Sequence, residues 1–167
     1  GIIDKSLESY RLTVLNAPYG IPDRPGVVHE TSFVGPGMRR SPRLSYVPAR
    51  LSLVPQLFRT SLPPDLVVVQ TSVPHEGTVS LGTEVNVLPA AIEAARSRGG
   101  LVVAQVNPRM PFTFGDAVIP TDQVDYGIEV DQPLPSPAAA VIEDAARQIG
   151  ELVAAQVVDG STLQLGI

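Results

Sequence analysis

The sequence predicts an α/β domain whose open, mostly parallel sheet is flanked by helices. Two continuous apolar runs, Leu66–Thr71 and Leu101–Val106, are typical of strands covered on both faces, as in parallel sheets. A helix is predicted between them, over about Leu88–Arg98, and strand and helix alternate in the same rhythm further along the chain. That alternation favours the α/β class.

The first part of the chain predicts two short strands separated by a long loop. Arg11–Asn16 has the composition of a strand, and Leu44–Val47 has that of a shorter one. Between them, residues 17–43 are rich in Pro and Gly, and the repeated prolines rule out long regular elements there. A loop of that length inside a compact domain is usually functional or packed against a neighbour.

Two helices are predicted from their caps and their apolar spacing. Ser52 is expected to cap a short helix over Leu53–Arg59, with Pro55 in its first turn. The helix over about Leu88–Arg98 places apolar side chains on one face, and the glycine pair at 99–100 ends it. The residues of that face are Leu88, Ile92 and Ala95.

The C-terminal part predicts a strand, a long helix and a last strand. The strand covers Tyr126–Asp131, and Ser136 then caps a helix that starts with Pro137 and runs to about Val158. The last strand covers Thr162–Gly166, and because the chain stops on it while still apolar, we expect a piece of a longer protein. The inner face of the long helix is predicted to comprise Val141, Ile142, Ala145, Ile149, Leu152 and Val153.

Composition bounds the class of protein. The 167 residues suit one domain, and only 17% of them are charged, so part of the surface is expected to meet another domain or subunit, as in a homo-oligomer. The net charge of −5 argues against nucleic-acid binding. With no run of membrane-span length and no signal-peptide pattern, we expect a cytoplasmic protein without membrane contact. The lack of cysteine excludes disulfides and thiol catalysis.

No standard catalytic, metal or nucleotide motif is present, but two polar loops follow the buried strands, where open α/β sheets bind ligands. His75-Glu76-Gly77 either belongs to such a site or forms a hydrogen-bonded turn with Gly77 at a positive φ. Pro108 holds the backbone of Asn107 extended, so its side-chain amide projects from the strand end. The amide either holds a carbonyl or amide group of a ligand, or forms hydrogen bonds within its own loop.

The charged clusters also allow two interpretations each. The acidic run is either a solvated edge, which we favour, or a metal site. The arginines of the long loop and its flank either meet phosphates or a neighbouring domain, or lie on a solvated surface. The acidic residues are Asp122, Asp125, Glu129 and Asp131, and the arginines are Arg39, Arg40, Arg43 and Arg50.

Four places in the chain carry a resemblance to a known family. His29–Gly35 resembles His-x-x-Ser-Phe-Phe-Val-Gly, and Gln70–Gly82 resembles Gln-Val-Ser-Pro-Pro-Asp-Glu-His-Gly-Tyr-x-Ser-Leu-Gly. Ala104–Asp116 resembles Ala-Gln/Glu-Val-Asn-Pro-x-Met-Pro-x-Thr-x-Gly-Asp. The fourth place comprises three segments: Glu129–Pro135 follows Glu-Val-Asp-Glu-Pro-Leu-Pro, Ile149–Glu151 follows Ile-Gly-Glu, and Asp159–Ile167 follows Asp-Gly-Ala-Thr-Leu-Gln-Leu-Gly-Ile-Gly-Gly. With these segments in order over nearly its whole length, the chain resembles the acetyl-CoA hydrolase/transferase family of the class I CoA-transferase fold.

The resemblance implies a two-domain enzyme of which this chain is one part. Members are similar in having two related α/β domains with the active site between them, and a nucleophilic glutamate in the second. Residues 1–167 would then be the N-terminal domain, incomplete at both ends, with the second domain missing. No catalytic residue and no metal ligand is therefore assigned here. Coenzyme A would be a substrate rather than a bound cofactor, and the partners would be an acyl-CoA and a small carboxylate.

The same resemblance implies a set of substrate-binding residues. The loops that follow the strands ending at Thr71, Val106 and Gly166 would form one wall of the acyl and CoA site. Gln105 and Asn107 would orient an acyl carboxylate or carbonyl, and Glu76 with Gly77 would shape the cleft. The full set is Ser72, Glu76, Gly77, Gln105, Asn107, Pro108, Met110 and Gly166.

Two departures from the family pattern bear on specificity. The loop at His75–Gly77 is one residue shorter, and Phe112 and Phe114 stand where polar residues are common. The resemblance does not choose between a hydrolase and a transferase, because water and a carboxylate acceptor would share the first step. A ligand-sensing or regulatory domain of the same broad fold, without catalysis, is the alternative.

Overall fold

The computed structural model of the protein describes residues 2–136 and 141–164, apart from the side chains of Ile2 and Ile3. The chain divides into two compact units, Gly1–Pro133 and Leu134–Ile167. The strands are β1 Tyr10–Thr13, β2 Val27–Thr31, β3 Leu44–Tyr46, β4 Leu66–Thr71, β5 Thr78–Ser80, β6 Leu101–Val106, β7 Val118–Pro120 and β8 Tyr126–Glu129. The helices are α1 Ile2–Ser6, α2 Val54–Arg59, α3 Leu88–Arg96 and α4 Asp144–Ala154.

The first sheet of the larger unit joins β1, β2 and β3 in that order, all parallel. Its central strand, β2, lies inside the segment 17–43 that was predicted to be a loop, so that prediction is wrong for Val27–Thr31. The prolines flank this five-residue strand without entering it, which leaves its N–H groups available for pairing. Strands this short leave little periodic signal among prolines.

The second sheet joins β4, β6 and β8 in that order, again all parallel, and it confirms the mostly parallel α/β prediction. The bounds of β4 and β6 match the two predicted apolar runs residue for residue. In the pairing register, Gln70 lies opposite Gln105, which lies opposite Ile128. A separate antiparallel pair, β5 with β7, was not predicted.

The core of the larger unit lies on one face of the second sheet. Helices α2 and α3 contact each other there, and α3 packs on β4 and β6. Within residues 2–133 the opposite face is open, because Val68 is 58% exposed and Leu101 is 45% exposed. The prediction that these strands are covered on both faces is therefore wrong for the described part of the chain. The core residues include Val54, Phe58, Val67, Val69, Ala91, Ile92, Ala95, Val102 and Ala104.

The two predicted helices of the larger unit are present, with one cap assigned wrongly. A 3₁₀ turn precedes α2, and Ser52 makes no capping hydrogen bond because it lies inside that turn. At the end of α3, Gly99 has a φ of 74° and the Gly100 N–H reaches the Ala95 carbonyl at 2.8 Å. This left-handed turn closes the helix as predicted.

The smaller unit contains α4, which is shorter than predicted. The helix starts after Glu143, not at Ser136, since residues 141–143 are not helical; Pro137 lies outside the described residues. No residue of α4 is buried, so the predicted inner face is exposed in this unit, which is too small to enclose a core. Thr162–Gln164 form no strand, and the rest of the predicted last strand lies outside the described residues.

No helix among the described residues is long and apolar enough to cross a lipid bilayer.

Candidate functional site

The candidate site lies at the carboxyl edge of the second sheet. Because β4, β6 and β8 are parallel, their carboxyl ends meet at one edge, and the loops Ser72–Gly77, Asn107–Phe114 and Val130–Gln132 leave from it. Open α/β sheets bind ligands beyond the carboxyl ends of their strands. The first two loops contain most of the substrate-binding residues that the sequence predicts.

Asn107 joins the three strand ends through its side chain. It is fully buried, at 0% exposure, and its Nδ2 donates to Gln70 Oε1 and to the Gln132 carbonyl, both at 2.8 Å. Its Oδ1 accepts from the backbone N–H groups of Arg109 at 3.1 Å and of Gln132 at 3.3 Å. An asparagine amide has two donors and two acceptor positions, so all of them are used within the chain.

Gln105 and Gln70 stand side by side at the same edge. Both side chains are half-buried, and they occupy paired positions on β6 and β4. They share the open face of the sheet with Val68, because alternate residues of a strand point to the same side. This places two side-chain amides next to each other where the strands end.

The loop after β4 is a tight hairpin that leads into β5. The N–H of His75 bonds to the Thr78 carbonyl at 2.8 Å, and the residues between, Glu76 and Gly77, have φ values of 47° and 74°. Two successive positive φ values define a type I′ turn, the commonest two-residue hairpin connection. Glu76 and Gly77 therefore form an exposed tip, the hydrogen-bonded turn that was one of the two alternatives.

Ser72 and Met110 are buried supports of these loops. The Ser72 hydroxyl accepts from the Ser80 N–H at 3.0 Å and donates to the Val73 carbonyl at 3.0 Å, which fixes the base of the hairpin. Met110 is 4% exposed and lies against Gly82, whose φ is 61°. A Cβ on that glycine would come within 2.1 Å of the Met110 sulfur.

Of the remaining predicted residues, Pro108 is exposed and Gly166 lies outside the described residues. The structure thus brings Ser72, Gln105, Asn107, Pro108 and Met110 to the loops and strand ends of one sheet edge, with Glu76 and Gly77 further out at the hairpin tip. Three of these, Ser72, Asn107 and Met110, are buried. Gln105, Pro108, Glu76 and Gly77 are the members that present surface.

An aromatic cluster that was not predicted from the sequence links the two loops. His75 and Phe112 meet edge to face with ring centroids 5.9 Å apart, and Phe112 meets Phe114 in the same way at 5.4 Å. Phe114 is 84% exposed. The signal available in the sequence was that both phenylalanines depart from the polar residues common in the family. The backbone of this loop is fixed by Ser80, whose hydroxyl donates to the Thr113 carbonyl at 2.8 Å.

The His29 segment has a structural position in β2. His29 is fully buried, and its Nε2 donates to the Pro22 carbonyl at 2.7 Å. Neighbouring Glu30 is also buried and pairs with Arg11 at 3.3 Å. These contacts join β1, β2 and the loop between them.

Two of the four acidic residues of the run, Asp125 and Asp131, form ion pairs. Asp125 accepts from Arg96 at 2.8 Å and from the Val102 N–H at 2.8 Å, and the Asp131 carboxylate pairs with Arg109 at 2.5 Å. The Val102 hydrogen bond, helped by Arg96, lowers the pKa of the Asp125 carboxyl. Among the described residues, no group of three or more His, Asp or Glu side chains is placed to hold a metal ion.

The four arginines of the long loop and its flank differ in their contacts. Arg43 pairs with Asp23 at 3.0 Å, and Arg39, Arg40 and Arg50 are exposed.

Comparison with known families and proteins gives a consistent result. Residues 23–157 match the model of the acetyl-CoA hydrolase/transferase N-terminal domain. The 4-hydroxybutyrate coenzyme A transferase of Clostridium kluyveri is 38% identical over 144 residues, covering 83% of this chain and 33% of that protein. The succinyl-CoA:acetate/propanoyl-CoA:succinate CoA transferase of Fasciola hepatica is 36% identical, covering 99% of this chain and 36% of that protein.

Solved structures share the fold. The 4-hydroxybutyrate CoA-transferase of Porphyromonas gingivalis superposes with a TM-score of 0.64 at 32% identity, covering 84% of this chain and 36% of that one. RipA from Yersinia pestis superposes with a TM-score of 0.73 at 25% identity, covering 85% and 35%. The chain spans about a third of the length of the Clostridium kluyveri and Fasciola hepatica relatives. The predicted CoA-transferase type of α/β fold is confirmed by these superpositions.

Proposed function

Because the chain belongs to the acetyl-CoA hydrolase/transferase family, we propose that it forms one wall of the site in an enzyme that moves CoA from an acyl-CoA to a small carboxylate. The observation that carries the proposal is the polar carboxyl edge of the β4-β6-β8 sheet, where Gln105 and the loops around Asn107 lie inside the matched residues 23–157. The Clostridium and Fasciola relatives are named as CoA transferases, which favours transfer over hydrolysis.

The proposed chemistry uses a glutamate as a temporary carrier of CoA. Its carboxylate attacks the thioester carbonyl and expels the CoA thiolate, which leaves a mixed acyl-glutamyl anhydride. The thiolate then attacks the glutamyl carbonyl, releasing the first acid and forming a glutamyl-CoA thioester. The acceptor carboxylate repeats both steps in reverse and leaves with CoA. A covalent carrier divides one difficult transfer into easier steps, and each oxyanion needs hydrogen-bond donors placed in advance.

We place the attacking glutamate outside residues 1–167. The chain spans about a third of the relatives' length, which leaves room for a second domain that supplies it. Within the chain, Glu30 is buried and paired with Arg11, and Glu76 is exposed at the tip of a hairpin. Neither environment would hold an acyl-CoA beside a carboxylate.

The residues of this chain then bind and position. Gln105 presents a half-buried amide at the strand end for a carboxylate or thioester carbonyl, while Pro108 and the Glu76-Gly77 tip line the cleft. Ser72, Asn107 and Met110 hold these surfaces in place from the interior. Gly166, outside the described residues, remains a proposed contact of the same wall.

The test is a transfer assay with the full-length protein. Acetyl-CoA is supplied with succinate, 4-hydroxybutyrate, propionate or cyclohexanecarboxylate in turn, and the CoA thioesters are separated and identified by mass. A new acyl-CoA should appear with at least one acceptor, at a rate that depends on its concentration. Release of free CoA alone would make the protein a hydrolase, and no turnover with any acceptor would overturn the proposal. Residues 1–167 alone, as a control, should transfer nothing.

A further inference from the structure

We propose that Gln70, at the end of β4, is a substrate-binding residue whose side-chain N–H groups bind the carboxylate of the acid substrate. The proposal rests on the proposed CoA-transferase function and deepens it by assigning a donor that the sequence did not single out. It follows from a chain of hydrogen bonds that fixes which end of the Gln70 amide faces outward.

The first link is the orientation of the Asn107 amide. Its Nδ2 lies 2.8 Å from the Gln132 carbonyl, which can only accept, and its Oδ1 receives the backbone N–H groups of Arg109 and Gln132, which can only donate. If this amide were turned around, Oδ1 would face the Gln132 carbonyl, which is also an acceptor, and Nδ2 would face the N–H groups of Arg109 and Gln132, which are also donors. Backbone groups cannot exchange these roles, so the orientation is fixed.

The second link is the orientation of Gln70. Because the Asn107 Nδ2 donates its other hydrogen to Gln70 at 2.8 Å, the atom of Gln70 in that contact must be the oxygen, Oε1. The nitrogen, Nε2, then faces away from Asn107 and keeps both of its hydrogens. Within the described part of the chain, no group accepts a hydrogen bond from it. Gln70 is half-buried, and among the described residues its Nε2 is not one of the buried side-chain atoms that lack a hydrogen-bond partner, so these donors are open to solvent at the edge.

The third link is the neighbour. Gln105 is the register partner of Gln70, on the adjacent strand and the same open face of the sheet. Adjacent strands are about 4.8 Å apart, which lets a single carboxylate lie against both side chains. Gln105 has no fixed partner in the described residues, so its amide can turn to offer a second donor. Two neutral donors bind an anion without an ion pair, which suits an acid that must be released again in each cycle.

The test compares Gln70→Glu with Gln56→Glu in the full-length protein. Glutamate at position 70 keeps the oxygen that Asn107 needs but replaces the outward donors by a charged acceptor that repels a carboxylate. Gln56 lies exposed on α2, away from the site, and gives the matched change of charge. We expect the KM for the carboxylate to rise by roughly 10- to 100-fold in Gln70→Glu. The KM for acyl-CoA should stay within about two-fold, and Gln56→Glu should leave both constants unchanged.

A measurement on the folded variant guards against misfolding. If Gln70→Glu lowers the melting temperature, both KM values are measured at a temperature at which circular dichroism shows the variant to be folded, and the carboxylate KM should still rise selectively. Folded variants with an unchanged carboxylate KM, or with equal rises in both KM values, would overturn the assignment of Gln70 while leaving the transferase function intact. A wild-type protein that transfers no CoA would remove the proposed function, and this proposal with it.

Discussion

At the scale of single residues, Asn107 explains why three strand ends stay together. Its side chain bonds to β4 through Gln70, to the chain after β8 through Gln132, and to its own loop through Arg109. A buried side chain with several partners is costly to replace, because each partner left unpaired loses its solvation without compensation. The stability of the edge therefore depends on the amide of this one residue.

We expect Asn107→Asp to lower the free energy of unfolding by about 2–4 kcal/mol. The carboxylate has the shape of the amide, but the oxygen in place of Nδ2 would face the Gln132 carbonyl and carry buried charge. Asn86→Asp, at an exposed position, is the control and should change stability by less than about 0.5 kcal/mol. Denaturant unfolding of both variants measures the difference. Equal effects of the two would show that the amide network does not stabilise the edge.

A second residue-scale prediction concerns Gly82 beneath the loop that contains Met110. Gly82→Ala should destabilise by about 2–4 kcal/mol, because it adds strain at a positive φ and a clash with the buried Met110 sulfur. Gly99→Ala has a similar φ of 74° but nothing within 4 Å of the new Cβ, so it should cost only about 1 kcal/mol. Thermal unfolding of the two variants separates the clash from the strain, and similar losses would argue against tight packing under the loop.

The sequence could predict that Asn107 is polar and projects from a strand end, but not what it meets. Proline after it fixes its backbone, which is a local effect. Its partners Gln70 and Gln132 lie 37 and 25 positions away in the chain and are brought to it only by the pairing of β4, β6 and β8. The sequence did not single out Gln70 as a donor for the same reason, because its contact with Asn107 depends on the pairing of β4 with β6.

At the scale of elements, Asp125 connects a helix to a strand. Its carboxylate accepts hydrogen bonds from the Arg96 guanidinium, in the last turn of α3, and from the Val102 N–H, in β6. Both contacts favour the charged carboxylate, and the Val102 hydrogen bond is the larger cause of its lowered pKa. A carboxylate whose pKa is lower in the folded than in the unfolded chain adds stability at every pH above its unfolded value.

We therefore expect Asp125→Asn to lower the melting temperature at pH 7 and to lose that effect in acid. The stability from Asp125 is complete above about pH 5, declines from about pH 4 as the unfolded carboxyl protonates, and is gone once the pH passes the lower folded pKa. Melting curves of wild type and variant between pH 7 and pH 2 give the test. A constant difference across that range would mean that the Asp125 charge contributes nothing.

The elements themselves were predictable in proportion to their length and isolation. The six-residue runs β4 and β6, and the capped helix α3, were located from apolar runs and glycine signals alone. The strands β2, β5 and β7 were missed, since they lie in segments whose Pro, Gly and polar residues predict turns. Continuous apolarity also overstated burial, because only one face of β4 and β6 is covered within residues 2–133.

At the scale of the whole molecule, our proposal assigns substrate-binding surface to this chain and the reactive glutamate to a second domain. The polar edge offers neutral amide donors held by a buried network, and the chain spans about a third of its curated relatives. The family could be inferred from the sequence because its motifs fall at strand ends in order. The roles of individual residues depend on contacts between distant segments.

The most direct test of the proposed mechanism is to trap the covalent intermediate in the full-length protein. Borohydride added during turnover with acyl-CoA should reduce a glutamyl-CoA thioester to an alcohol, inactivate the enzyme and release CoA. Peptide mapping by mass spectrometry then locates the altered glutamate. We predict a single modified glutamate outside residues 1–167, formed only when acyl-CoA is present. Full activity after borohydride treatment, or a modified glutamate within this chain such as Glu76, would contradict the account.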